Sequence, residues 1–141
     1  MPCTYALYPD LATLHCRFSG RFNMRDALNM IERAGAEPRH EDGTNVIADF
    51  LDVTRFDIDI NSQWRMFRYL AALEDWPGLP RSCALIADGE PVWAMAGTIV
   101  DQTTLESPLV FERFRAPSPA LRFVGLDPNR HGGRFGYGPV H

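Results

Sequence analysis

Apolar residues recur with two different spacings along the chain, and the switching between them predicts its order of elements. Tyr5–Tyr8 and Leu11–Phe18 read as short strands joined by the turn pair Pro9-Asp10. In the second, Leu14, Cys16 and Phe18 alternate with Thr13, His15 and Arg17, as expected of a half-exposed strand near a sheet edge. Gly20 breaks the chain, and a helix follows over Asn23–Ala34. Asn23 can cap it, with Asp26 in capping-box position, and Met24, Ala27, Leu28 and Ile31 form its buried stripe. Gly35 stops this helix, and the polar stretch Glu37–Gly43 reads as a loop.

The second half repeats the strand-then-helix rhythm. Asn45–Phe50 is a short, nearly continuous apolar run, which predicts a central strand covered on both faces. A second helix is predicted over Ile60–Glu74, with Trp64, Phe67, Leu70 and Ala71 on its buried side, Arg65 and Arg68 opposite, and Trp76-Pro77-Gly78 ending it. Cys83–Ala87 is another buried strand. Asp88-Gly89 turns the chain into a third helix from Pro91 to Asp101 that is apolar almost all round, so it is either deeply buried or presents a surface to a partner. Leu109–Phe114 makes a last strand and Ser118–Val124 a short helix stopped by Gly125. Strands alternating with helices, the later strands fully apolar, predict an α/β fold: a mixed, largely parallel sheet of five strands with four helices. Residues 1–126 form the expected domain. The Gly- and Arg-rich stretch 127–141 cannot form a core and is expected to be a flexible tail, despite its short likeness to RGG-type RNA-binding sequence.

Length and composition agree with one soluble domain. The 141 residues suffice for one core, 45% are apolar, and no apolar run approaches the roughly 20 residues of a membrane span. No signal peptide is expected, since Asp10, His15 and Arg17 come too early for an apolar h-region. All 14 basic residues are Arg, which removes Schiff-base and P-loop lysine chemistry; this usage reads as the mark of a GC-rich genome. The net charge of -4, with scattered arginines, argues against nucleic acid as a partner. Cys3, Cys16 and Cys83 are odd in number and widely spaced, which suits a reducing, cytoplasmic setting.

The segment Val46-Ile47-Ala48-Asp49-Phe50-Leu51-Asp52-Val53-Thr54-Arg55-Phe56-Asp57 resembles the strand-and-loop signature of STAS domains, the fold of the SpoIIAA anti-sigma-factor antagonists. Pro80–Asp88, and Phe111–Phe114 ahead of Ala120-Leu121, are similar to the divergent SpoIIAA-like branch. The resemblance implies a STAS-like, SpoIIAA-like fold and a regulatory protein-interaction module, with a partner loop carrying Asp52, Thr54, Asp57 and Asp59. Regulatory STAS domains place Ser-Ser-Gly at the start of the following helix, where a kinase phosphorylates a serine. Ile58-Asp59-Ile60 stands there instead, so no hydroxyl accepts a phosphate, and Asp59 would supply a fixed negative charge of half a phosphate's or less.

No pattern of catalytic residues emerges. Asp49, Asp52 and Asp88 fall near the carboxyl ends of predicted neighbouring strands and could hold Mg²⁺, but loop-amide bonding by Asp49 and Asp52 and a turn cap at Asp88 explain them more simply. His15, His40, His131 and His141 are expected at the surface, and Cys16 and Cys83 as inert core thiols. Ser82 has no G-x-S-x-G setting. No metal and no cofactor are expected. Trp64, Phe67, Trp93 and Met95, on two neighbouring helices, form either core, a homodimer or partner surface, or a pocket for a small lipid-like ligand. The last reading is helped by a broad outline similar to CRAL-TRIO domains, which is analogy alone. The sequence therefore predicts a non-catalytic interaction module that self-associates or meets a protein partner; the alternative is a carrier or sensor of an apolar ligand.

Overall fold

A computed structural model describes residues 3–37, 44–57, 61, 64, 65, 68, 82–106 and 110–138, the side chains of 102–106 excepted. The elements are β1 (Cys3–Tyr8), β2 (Thr13–Asn23), α1 (Met24–Gly35), β3 (Asn45–Asp57), β4 (Ser82–Ile86), α2 (Val92–Glu106), β5 (Val110–Phe114), α3 (Pro117–Phe123) and a single turn, α4 (Pro128–His131). The sheet runs in chain order, β1-β2-β3-β4-β5. β1 is antiparallel to β2, and the other three pairings are parallel, with Val46 opposite Cys83. This is the largely parallel α/β sheet that the alternation of spacings predicts, with the two inner segments side by side and in the same direction.

Period-two alternation divides the sheet's side chains between two cores. One face carries Leu14, Cys16, Phe18, Ala48, Phe50, Cys83 and Leu85 against Ala27, Leu28 and Met30 of α1 and Val92 and Ala96 of α2. Phe18 stacks on Phe50 at 4.7 Å, and Phe22 meets both rings edge-on. The other face carries Ile47, Ala84 and Ile86 against Ala120 and Leu121 of α3, then Val124, Leu126 and Phe135. At the head of α1, Asn23 accepts from the Asp26 amide at 2.8 Å and its own amide donates to the Asp26 carboxylate at 2.9 Å. Asn45 ties the start of β3 to both neighbours: its side chain accepts from the Ser82 amide at 3.0 Å and donates to the Val124 carbonyl at 3.3 Å.

Three expectations are corrected. First, β2 and β3 outrun their predicted ends. Gly20 does not break the strand; it takes a φ of +63° inside it, between two register shifts, and β2 pairs on to Asn23 opposite Asp57. Asp52, Thr54 and Asp57, expected in a loop, are therefore strand residues on a two-stranded ribbon that continues past β4, whose pairing ends at Asp49. Second, β2 does lie near the sheet edge, next to the edge strand β1, but it is not half-exposed: it pairs on both sides, and Thr13 and His15 on its polar face are buried. Third, the stretch expected to be a flexible tail folds back through residue 138, with Phe135 buried in the second core. Two aromatic side chains among its glycines provide the anchoring that composition alone did not suggest.

Candidate functional site

The folded-back end of the chain completes a polar cluster on the second face of the sheet. His15 and Arg17 lie two apart on β2 and share a face, and Asp49 sits beside Arg17 on β3. Tyr137 reaches down onto them. Its hydroxyl lies 2.6 Å from Asp49 Oδ2 and 2.9 Å from His15 Nε2. A carboxylate only accepts, so the phenol donates to Asp49 and its oxygen accepts from the Nε2–H of His15. Asp49 Oδ1 accepts from the Leu51 amide at 2.8 Å, and Arg17 Nε lies 4.0 Å from Asp49 Oδ2. Arg17 also donates to the Phe135 carbonyl at 3.1 Å and its guanidinium lies over the Tyr137 ring.

Burial sets the protonation of this cluster. It pulls the His15 imidazole down to about 4, aided by the Arg17 charge and opposed by Asp49, so His15 is neutral near pH 7. Burial and the bond to the Asp49 carboxylate push the Tyr137 phenol far above its usual value. The cluster therefore keeps a neutral imidazole and a neutral phenol at ordinary pH. Such groups orient and hold; they are poorly matched to proton transfer near neutrality.

A groove of about 320 Å³ opens beside the cluster. Its floor is Thr4, Ala6 and Tyr8 of β1 with His15 and Arg17 of β2, and Arg134, Phe135 and Gly136 form its wall. Tyr8 meets Phe135 edge-on at 4.7 Å and donates to the Arg134 carbonyl at 3.1 Å. Arg134 pairs with Asp10, which holds the Asp10 carboxyl below its usual range. Gly136 has a φ of +84°, and a Cβ there would come within 3.1 Å of the Arg17 guanidinium, so only glycine turns the wall this closely over Arg17.

The predicted interaction residues lie elsewhere. Asp52 and Thr54 are exposed on the ribbon, and Asp57 pairs with Arg21 at 2.7 Å across it. Asp59 lies outside the described residues, as does Phe67. Asn61, Trp64, Arg65 and Arg68 are helical and exposed, and together line a groove of about 500 Å³. Their spacing of three, four and seven puts them on one helical face, so Trp64, expected on the buried side, stands with the arginines at 57% exposure. Trp93 is half-buried on α2 with the guanidinium groups of Arg113 and Arg115 each 4.0 Å from its ring. Arg113 further donates to the Trp93 carbonyl at 2.6 Å and fits where Gly97 has no side chain. Met95 is half-buried against the first core.

The remaining candidates have plain roles. Asp88 is exposed, accepts from the Gly89 amide at 3.0 Å and faces Arg115 at 3.4 Å, while Asp49 is buried beneath Tyr137, so the three strand-end aspartates form no common site. Cys16 and Cys83 are buried thiols, the latter pushed up to about 12 by burial, and Ser82 is half-buried at the start of β4. His131 accepts from the Asp127 amide at 3.3 Å; His40 and His141 lie outside the described residues. Sequence reasoning missed the His15–Tyr137–Asp49 cluster. The available signal was the pair of aromatics Phe135 and Tyr137, two apart among glycines, which suits a segment pinned by its side chains.

No protein-family model matches this sequence, and no curated protein matches it. Among solved structures, the chain is similar to an uncharacterized protein of the DUF3478 family from Shewanella loihica, described as having a SpoIIAA-like fold. The match has a TM-score of 0.55 at 14% identity and covers 86% of this chain and 91% of that one. At that identity the likeness is one of architecture. The fold of this chain, a mixed, mostly parallel five-stranded sheet with helices packed on both faces, is SpoIIAA-like.

Proposed function

We propose that this chain is a non-catalytic interaction module that self-associates through the face carrying Trp64. The observation that carries this reading is a tryptophan 57% exposed beside Arg65 and Arg68 on a grooved helical face. Trp and Arg are the residue types that dominate interface energies, and a large aromatic left in water is a cost that association removes. The ribbon provides a complementary surface: Asp52 is exposed there, with Thr54 beside it, and acidic side chains suit two arginines. In a two-fold dimer each copy offers both surfaces, so the Arg-to-Asp contact forms twice. The absence of a hydroxyl at Ile58-Asp59-Ile60 makes this an association without a phosphorylation switch. A carrier role for apolar ligands has less support, because the Trp93 ring is already packed against two guanidinium groups.

Sedimentation velocity tests the reading. The wild-type chain is expected to show a concentration-dependent dimer, and Trp64→Ala to remain monomeric with an unchanged circular dichroism spectrum. A wild-type monomer at the highest attainable concentration, or a Trp64→Ala protein that dimerises as well as wild type, overturns it.

A further inference from the structure

We propose that the groove between β1, β2 and the folded-back residues 134–136 binds a small organic monoanion, a carboxylate on a flat apolar body. This site lies apart from the Trp64 face and does not depend on the self-association reading. Three features define the ligand. The first is size. At about 320 Å³ the groove sits at the low end of small-molecule sites and suits a single ring with one substituent.

The second is charge. Two guanidinium groups line the groove, and they are unequally neutralised. Arg134 is held by Asp10 through both terminal nitrogens. Arg17 approaches Asp49 only to 4.0 Å, and that carboxylate already accepts from Tyr137 and from the Leu51 amide. Nearly half of the Arg17 side chain, 47%, remains exposed. One incompletely neutralised guanidinium matches a monoanion, and its planar fork suits a carboxylate. A dianion would meet the repulsion of Asp49 and Asp10 without a second uncommitted cation among the described residues that line the groove.

The third is the lining. Half-buried Tyr8 contributes the aromatic surface of the groove, the Phe135 ring being buried in the second core, and exposed Thr4 and Ala6 leave room beside it.

Benzoate is the probe. In a ¹H–¹⁵N NMR titration of the full chain, sodium benzoate is expected to give saturable shifts at the amides of Ala6, His15 and Gly136. Benzamide, of the same shape without the charge, and sodium chloride at matched ionic strength are expected to leave them in place. Arg17→Gln should weaken benzoate binding about ten-fold, the loss typical of one charge-assisted contact. Because Arg17 also holds the Phe135 carbonyl, a second variant is needed: Ala6→Glu puts a carboxylate into the groove from an exposed strand position and should abolish the shifts while the spectrum stays dispersed. Shifts no larger than those from chloride, equal shifts from benzamide, or undiminished binding by Ala6→Glu would overturn the proposal.

Discussion

His15 shows how one side chain couples the fold to pH. In the unfolded chain its imidazole titrates near 6.5, while in the folded protein burial and Arg17 pull it down to about 4. Between those values the unfolded state binds more protons, so stability is full above pH 6.5 and is lost as pH falls towards 4. The loss reaches about 3 kcal/mol once both forms are protonated. Carboxylates in general titrate at the lower end of this range, so the measurement is the difference between two proteins. Urea unfolding of wild type and His15→Gln from pH 7.5 to 4.5 is expected to give curves that converge as pH falls, the variant having the shallower slope. Parallel curves would mean that His15 is not held neutral. Its burial was not legible locally, because alternation with Leu14 and Cys16 places His15 on the polar face but says nothing of what covers that face.

At the scale of elements, the C-terminal turn depends on glycine geometry at one position. Gly136 closes the short 3₁₀ turn Gly132–Phe135 with a φ of +84°, its amide donating to the Gly133 carbonyl at 3.2 Å. Gly136→Ala forces a Cβ into the left-handed region and towards the Arg17 guanidinium. The expected cost is about 1–2 kcal/mol, read as a lower urea midpoint with an unchanged slope. The opposite outcome, a variant as stable as wild type, would mean that the turn relaxes without its contact to β2. The β2–β3 ribbon carries a related lesson. Gly20 reads as a strand breaker from sequence, yet in a ribbon with register shifts a left-handed glycine lets both strands continue, and the Arg21–Asp57 pair holds them beyond the sheet. Helix α2 shows the reverse. Its apolar surroundings are legible, but the seat of Arg113 at Gly97 arises only when β5 packs against it.

For the whole molecule, the decisive feature is that residues 127–138 return to the sheet and cover the side of β1 and β2 that the other helices leave open. Phe135, Tyr137 and Arg134 each reach a partner more than a hundred residues earlier in the chain. Removing residues 127–141 is therefore expected to do more than shorten a tail. It should lower the melting temperature by several degrees, as the loss of a buried aromatic and of the Tyr137 bonds would. By NMR, His15 should titrate close to 6.5 in the shortened chain, since its cover is gone. An unchanged melting temperature and a His15 that still titrates near 4 would mean that the segment contributes nothing to the fold.

Period and punctuation in the sequence were enough to determine the class of fold, the order of its elements, the parallel pairing of the segments at Val46 and Cys83, and the capping of α1 by Asn23. Those properties follow from interactions between residues a few positions apart and from the burial of regularly spaced apolar side chains, both of which a linear pattern records. What only the tertiary structure decided was the side of its helix on which Trp64 stands, the length of the β2–β3 ribbon, and the meeting of His15, Asp49 and Tyr137. These depend on which surfaces remain uncovered after the sheet forms, and a polar face or a glycine-rich end has no period that says what will cover it.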